Sequence, residues 1–305
     1  MPPSDPMTPL CPGQDTTPRW QRRALLAGAA ALCLGTPAHA VDTLRIGVPH
    51  DVADDFVRFI QTRDVATLTH FGGPGARRDV MELAWLLREI KRQPKAPDVQ
   101  LVRIDSYERL MATVRDGHID VIGTSAWLAD LETLGSGNVS ISAAMIRQGD
   151  FVVGVYTSPR NEAAALTRTL NQLRVLRFAC NSGWSLDWAT LRKLGIQPLF
   201  DVKTWGQMVA LVDAGRADAV LAPFQSTSNA MELQFEGKTL VPIDGIAVAL
   251  EGSRHLASNK RTAQGKWITA KVFPALAAQA KSGALRKAYE ECGFHNPRTR
   301  AWTVF

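Results

Sequence analysis

The chain has 305 residues, of which 46% are hydrophobic and 21% are charged, and its formal net charge is +6 at pH 7. This composition is ordinary for a globular protein and supplies enough apolar side chains for one large domain or two smaller ones. The basic excess is small and comes without a basic run or interleaved aromatic residues, so no nucleic-acid partner is expected.

Residues 1–40 have the pattern of a secretory signal. Arg19, Arg22 and Arg23 form a basic flank, an apolar run follows, and Ala38-His39-Ala40 matches a small-residue cleavage site. The apolar run is too short for a membrane-spanning helix. We therefore expect an N-terminal extension with a cleavable signal peptide, exported by the Sec or the twin-arginine route. A disordered N-terminus with a chance alanine run is the alternative.

The residues that follow alternate between strand and helix patterns. A short strand that ends in a polar loop is expected at 43–51. Further strands are expected at 98–105 and 118–125, and helices at 77–93 and 106–117. Ser106 is expected to cap the second helix and Gly117 to end it. This alternation predicts an open sheet covered by helices.

The second half repeats this scheme. Strands are expected at 150–159, at 196–202, at 216–224, at 245–252 and at the start of 175–185; helices are expected at 186–195, at 204–215 and in a tail over 260–292. "RLMATVRDGHIDVIGTS" and "QMVALVDAGRADAVLAPF" are two copies of one helix–glycine–strand unit. The sequence thus predicts two similar α/β lobes, with loops at the carboxyl ends of their strands facing a cleft.

Six segments in this order carry a resemblance to a known family: "LRIGVPHD", "LMATVRDGHIDVI", "ACNSGWSLDWATL", "MVALVDAGRADAVLA", "GIAVALEGS" and "ALAAQAKSGALRKAYEECGF". The chain resembles type II periplasmic solute-binding proteins, of the family-3 kind that serves ABC importers. The resemblance implies a two-lobed fold, each lobe a mixed sheet flanked by helices. Lobe one would comprise 41–150 plus 245–305, and lobe two 151–244. The hinge would lie near 150–154 and 242–245, and the lobes would close around a solute.

The resemblance also implies a function. A periplasmic, monomeric protein would capture a small molecule and deliver it to a membrane permease complex, without a cofactor, a metal ion or direct membrane insertion. Trp127 or, as the alternative, Ala126 stands where amino-acid-binding members carry an arginine for the carboxylate. Pro223 stands where they carry an aspartate for the ammonium group. These departures argue against a standard α-amino acid, although Arg77 or Arg147 could approach the cleft from elsewhere.

The expected cleft residues follow the strands of both lobes. They are His50, Asp51, Thr124, Ser125, Trp127, Asn181, Ser182, Gly183, Trp184, Phe224 and Gln225. Backbone N–H groups of the 181–185 loop favour an anion, and the two tryptophans offer stacking walls. The alternatives are a plain helix cap by Ser185, tryptophans buried in the core, as expected for Trp188 and Trp205, and an ordinary loop over Pro223–Thr227.

No catalytic motif was found, and the histidines after residue 40 are scattered. An enzyme is therefore not expected, although a dehydratase-like relative stays open, as does a sensory or accessory module, for example beside a quinoprotein dehydrogenase. Asp120 and Asp218 are interpreted as structural turn residues. Cys180 and Cys292 are expected to be free buried thiols, because a bridge between them would tether the lobes.

Overall fold

Strands and helices alternate along the computed structural model, which describes residues 43–197, 199–225 and 231–305. The expected signal segment and loop residues Ser226 and Thr227 lie outside these ranges. The strands are Leu44–Pro49 (β1), Val99–Ile104 (β2), Val121–Ile122 (β3), Ala126–Trp127 (β4), Val139–Ile146 (β5), Phe151–Thr157 (β6), Phe178–Cys180 (β7), Leu199–Asp201 (β8), Val220–Ala222 (β9), Leu233–Phe235 (β10), Lys238–Leu250 (β11), Arg254–Asn259 (β12) and Thr303–Val304 (β13).

The α-helices connect these strands and form the C-terminal tail. They are His50–Ile60 (α1), Arg78–Lys91 (α2), Tyr107–Asp116 (α3), Leu128–Thr133 (α4), Glu162–Ala165 (α5), Leu170–Arg174 (α6), Ser185–Lys193 (α7), Trp205–Asp213 (α8), Ala263–Trp267 (α9), Phe273–Lys281 (α10) and Ala284–Glu291 (α11). A π-helical segment, Ile268–Val272, joins α9 to α10, and short 3-10 turns occur at Val65–Thr67 and Pro297–Thr299.

The first sheet has the order β2-β1-β3-β12-β4, with β5 also paired to β12. Strand β1 runs parallel to β2 and β3, whereas β12 is antiparallel to β3, β4 and β5. Leu44, Ile46 and Val48 of β1 are fully buried, as expected for a central strand covered on its face by helices. We call this sheet with its helices the first lobe.

The second sheet has the order β10-β11-β6-β9, with β13 parallel to β11. The parallel pair β7-β8 joins it through a bridge between Phe178 and Ala219. The pairing of β6 with β11 shifts register between Pro242 and Ala247, next to the expected hinge. We call this sheet with its helices the second lobe. Both main sheets are mixed, as the sequence predicts.

Several elements differ from the sequence-based predictions. His50 and Asp51 begin helix α1, where a loop was expected, because Val52, Phe56 and Phe59 bury one face of this segment. The strand expected over 118–125 is only the two-residue β3. The helical tail is divided at Gly283, which adopts φ +80°. The caps are confirmed: Ser106 accepts a hydrogen bond from the Arg109 backbone N–H at 3.2 Å, and Gly117 has φ +82°.

The largest core cluster joins residues of both lobes and includes Cys180 and Cys292. Two smaller clusters are separate from it, one around Met208, Val209 and Val220 and one around Phe224. Both cysteines are free and buried, as predicted. Within the described ranges, no helix combines the length and hydropathy that crossing a membrane requires.

Candidate functional site

Arg254, the first residue of β12, is the central residue of the candidate site. Its side chain is buried, with 8% of the residue exposed. Nε donates to Ser125 Oγ at 3.1 Å, and Nη2 donates to the Ser125 backbone oxygen. In the described part of the chain, it forms no ion pair within 4.0 Å. Burial and the nearby guanidinium of Arg78 lower its pKa, so a buried cation lies here without a direct counter-ion.

Two aromatic rings flank this guanidinium. Its carbon Cζ lies 4.4 Å from the ring centroid of Trp127 and 5.3 Å from that of Phe151. The rings pack against each other at 4.8 Å. Arg254 pairs in register with Trp127 across β12 and β4, so a cation on the neighbouring strand covers the ring at the position where the resemblance implies an arginine. The rings stabilise the cation but do not neutralise its charge.

A second guanidinium, Arg78, enters from the first turn of α2. Its Nη1 donates to both carboxylate oxygens of Glu82 at 3.0 Å. Its Nε is buried and has no hydrogen-bond partner among the described residues, and Nη2 lies 3.6 Å from Asp79. The edge formed by Nε and Nη2 is the one that guanidinium groups use for bidentate carboxylate binding. Arg78 therefore has its charge balanced by Glu82 but keeps one donor edge open.

Glu82 accepts the hydrogen bonds that connect Arg78, Ser125 and Tyr289 in the site. This fully buried carboxylate accepts hydrogen bonds from the Ser125 backbone N–H at 2.7 Å, Ser125 Oγ at 2.8 Å and Tyr289 Oη at 2.9 Å, besides Arg78. Such a saturated set compensates the burial of its charge. Ser125, which also accepts from Arg254, is consequently occupied by protein groups. Ser125 positions the guanidinium of Arg254 and is not free to bind a solute.

Asp187 lies in the first turn of α7, and the charges of Arg254 and Arg78 act on its carboxyl group. It is partly buried, and it forms no ion pair within 4.0 Å in the described ranges. Burial raises the pKa of Asp187 to about 6, against the opposing effects of Arg254 and Arg78, and the charge of Asp130 adds to the increase. A carboxyl group with this pKa changes its charge near neutral pH.

The start of α7 contacts the first lobe. Ser185 Oγ lies 3.5 Å from Asp130 Oδ1, and the other oxygen of Asp130 accepts from Tyr107 Oη at 2.8 Å. At the other end of α7, Lys193 pairs with Glu251, which follows β11, at 2.9 Å. Ser185 is the first residue of α7 and does not cap it, so the alternative of a plain cap by Ser185 is wrong. The Ser185 contact brings the start of α7 next to α4.

His50 and Asp51 lie at the start of α1, where each has its own ion-pair partner. His50 Nε2 lies 2.7 Å from Asp105, and Asp51 pairs with Arg77 at 2.7 Å. Arg77 also pairs with Asp55 and Asp79, so its charge is already compensated. Arg147, the other cation considered from the sequence, is exposed.

The 181–184 loop satisfies its polar groups internally. Asp201 accepts from the Ser182 backbone N–H and from Ser182 Oγ, both at 3.0 Å, and Asn181 accepts from the Gly183 N–H at 2.8 Å. Lys203 and these serine donors lower the pKa of Asp201 to about 2. The Ser182 N–H thus already binds a carboxylate of the protein, and the Gly183 N–H already binds an amide oxygen. Trp184 stacks on Trp205 at 6.4 Å and is partly buried.

The remaining predicted residues are more buried than expected. Thr124 and Trp127 are each 6% exposed. Phe224 is a core residue that packs on Trp302 at 5.4 Å. Gln225 folds back and donates to the Pro223 oxygen at 2.9 Å. The structure therefore brings Ser125, Trp127 and the start of α7 together, and it places Phe224 and Gln225 in other packing contacts.

Sequence reasoning missed Arg78, Glu82, Asp187 and Arg254. The one usable signal was the i,i+4 spacing of Arg78 and Glu82 on helix α2, which suits an ion pair. No group of histidine, cysteine, aspartate and glutamate suited to a metal ion occurs in the described ranges. A separate surface pocket of about 220 Å³ is lined by Trp188, Arg192, Ile196, Gln197 and Leu199, and none of the four missed residues lines it.

No protein-family model and no curated protein matches the sequence significantly. Solved structures do match. The VFT2 domain of Bordetella pertussis BvgS aligns with a TM-score of 0.52 and 18% identity, over 82% of this chain and 93% of that one. The whole periplasmic domain of BvgS aligns at 0.51 and 17%, over 84% of this chain, which spans only 44% of that domain.

A probable amino-acid ABC transporter extracellular-binding protein from Bacillus subtilis aligns at a TM-score of 0.51 and 11% identity, over 82% of this chain and 97% of that one. At these identities the matches establish the fold alone. The chain has the two-lobed fold of type II periplasmic binding proteins, as predicted.

Proposed function

We propose that this chain is an exported solute-binding protein that captures a small, carboxylate-bearing molecule between its two lobes. The observation that carries the proposal is Arg254, a buried guanidinium with no carboxylate within 4.0 Å among the described residues. A buried cation without a counter-ion destabilises a fold unless a ligand compensates it. The open edge of Arg78 and the rings of Trp127 and Phe151 complete a site for an anionic head and an apolar body.

In this proposal the lobes keep the bounds expected from the sequence, 41–150 plus 245–305 and 151–244. These bounds divide β11 and assign β13 to lobe one, although both strands lie in the second sheet. Closure about the β6–β11 hinge then brings α7 over the solute. A monomer in the periplasm then delivers the solute to a membrane permease. A sensory or accessory module of the same fold is the alternative. Both roles need the same binding step, and neither needs catalysis.

Ligand-dependent stabilisation tests the binding step. The chain is heated with amino acids, polyamines, organic acids, sugars and oxyanions. A solute present at about 1,000 times its dissociation constant adds about 4 kcal/mol to the stability of the folded state. We expect hits among carboxylates, whereas hits confined to polyamines or sugars would contradict the proposal.

The variant Arg254→Met separates binding from folding. Methionine removes the buried charge at similar length, so we expect unchanged or slightly increased thermal stability and a loss of carboxylate affinity of at least 100-fold, which corresponds to about 2.7 kcal/mol. Arg286→Met, which removes an arginine with a 61% exposed side chain on α11, is the matched control and should bind normally. Normal binding by Arg254→Met would exclude this site.

A further inference from the structure

The segment after α11, residues 292–305, passes from one lobe to the other. Helix α11 packs against α2 of the first lobe, whereas β13, near the end of the segment, pairs with β11 of the second sheet. Residues 147–150, between β5 and β6, and residues 251–253, between β11 and β12, also join the two sheets. In the described part of the chain the lobes are thus joined three times, whereas the hinge expected from the sequence contains two crossings.

Phe294 is the buried residue with which this segment leaves the first lobe. It is 1% exposed, and its ring centroid lies 5.0 Å from that of Phe151 and 5.3 Å from that of Tyr289. Both neighbours belong to the candidate site, since Phe151 flanks Arg254 and Tyr289 donates to Glu82. The first-lobe end of the segment therefore packs directly on residues of the site.

Trp302 attaches the other end of the segment to the second lobe. Its ring meets that of Phe224 edge-on, with the centroids 5.4 Å apart. The small cluster around Phe224 also contains Val152 of β6 and Ala247 of β11. Trp302 is therefore packed against both strands of the expected hinge.

Backbone hydrogen bonds extend this attachment along β11. The Phe305 N–H donates to the Ala247 oxygen at 3.0 Å, and the Ala249 N–H donates to the Phe305 oxygen at 2.9 Å. They lie directly after the register shift between Pro242 and Ala247, a stretch in which Gly245 adopts φ +82°. Bending β11 at this point strains these bonds, because each buried or paired backbone group that loses its partner costs free energy.

The lobes also touch on the side of the cleft where α3 and α7 begin. A Cβ atom added to Gly183 would lie 3.1 Å from Glu108 Oε1 of α3, and Ser185 Oγ lies 3.5 Å from Asp130 Oδ1 of α4. The loop 181–184 and the start of α7 thus rest on the first lobe. This arrangement is a closed one.

Resting on the proposed function, in which the lobes open and close about a hinge, we propose that residues 292–305 form a strap that limits opening. A hinge motion changes backbone angles in the segments that join the lobes. With the strap present, opening must also extend the turn at Pro297–Thr299 or pull Phe294 or Trp302 out of its packing. The strap therefore favours the closed arrangement, and its first-lobe end contacts the residues that hold Arg254 and Arg78.

The distance between two spin labels tests the strap without any solute. Cysteines replace Arg109 on α3 and Lys203 before α8, two exposed side chains on opposite lobes, whereas the buried Cys180 and Cys292 should stay unlabelled. Double electron–electron resonance gives the distribution of distances between the labels. We expect Trp302→Ala to raise the ratio of open to closed chains about tenfold, because opening no longer breaks the packing of Trp302.

Three further chains control this result. Trp302→Phe keeps an aromatic ring against Phe224 and should give the wild-type distribution. Trp267→Ala removes another partly buried tryptophan, on α9, which packs on the largest core cluster, and should also leave the distances unchanged. A chain ending at Ala301 removes β13 together with Trp302, so it should open at least as much as Trp302→Ala, and it decides the question if that variant does not fold.

Two results would overturn the strap. One is an unchanged or shorter distance in the chain that ends at Ala301. The other is an equal shift in Trp267→Ala, which would mean that any lost tryptophan loosens the lobes. Neither result depends on a bound solute, so a chain that fails this test can still bind carboxylates in the thermal screen, and a chain that binds none can still show the strap.

Discussion

Glu82 is the residue on which the geometry of the site depends. It binds Arg78 directly, fixes Ser125 through two hydrogen bonds, and reaches Arg254 through that serine. It does so from a fully buried position on α2. Tyr289 of α11 adds a donor, so the C-terminal helix also supports the site.

Replacing Glu82 with glutamine should therefore strongly reduce the free energy of unfolding. The amide cannot neutralise Arg78, and removing one partner of a buried ion pair typically costs about 3–5 kcal/mol. Urea denaturation measures the free energy of unfolding. Glu290→Gln, which breaks partly exposed pairs with Arg286 and Arg300, should cost about 1 kcal/mol or less. Equal losses in the two variants would show that the Arg78–Glu82 pair contributes no more than a surface pair.

At the scale of elements, the two lobes repeat the same hydrogen-bonded arginine–aspartate ion pair. In the first lobe, Asp120 accepts from the Arg45 backbone N–H at 2.8 Å and from its Nε and Nη2 at 3.1 and 2.9 Å. In the second, Asp218 accepts from the same three atoms of Arg177 at 2.8, 2.9 and 2.7 Å. The repeat predicted from sequence therefore extends to side chains, and the interpretation of both aspartates as structural is confirmed.

The Arg177–Asp218 ion pair predicts that the free energy of unfolding depends on pH. Hydrogen bonds from Arg177 lower the pKa of Asp218. Its stabilising effect is thus complete above the unfolded-state pKa of about 3.9 and is lost as the pH falls through the lower folded-state value. Asp218→Asn should cost about 1–3 kcal/mol at pH 7.

Urea denaturation of Asp218→Asn and the wild-type chain at several pH values checks this. The difference between their free energies of unfolding should decrease as the pH falls from 7 toward 3. Asp116→Asn, on the exposed end of α3 beside Arg115, should leave stability unchanged at every pH. A wild-type advantage over Asp218→Asn that grows toward pH 3 would contradict the assignment.

How far the sequence predicts this protein depends on the kind of feature. Periodicity and caps located α2, α3, α7 and α8, because each has a local signal such as the Ser106 and Thr204 caps. Helix α1 was missed because its polar first turn, His50–Asp51, reads as a loop. The site itself was only partly predicted. Trp127 and the 181–184 loop have local signals, whereas Arg254 and Arg78 meet through pairing between residues distant in sequence.

At the scale of the whole molecule, the lobes are not independent. The largest of the core clusters contains residues of β1 and α2 of the first lobe together with Phe178, Cys180 and Leu191 of the second. The described residues also fall within one compact unit, 41–305. In the proposed function, closure of the lobes bends the β6–β11 crossing while this core stays packed, as hinge motions do.

A shared core predicts a single cooperative unfolding transition, and the two cysteines report it. Burial raises the pKa of both Cys180 and Cys292 to about 12, so their thiols should resist alkylation at pH 8 in the folded chain. Alkylation is measured at increasing urea concentrations by mass spectrometry of the peptide that contains each cysteine. Because both side chains belong to the same cluster, we expect the two midpoints to coincide with each other and with the loss of circular dichroism. An earlier midpoint for Cys180 would mean that the second lobe opens first, and that the packing between lobes is weaker than the shared core implies.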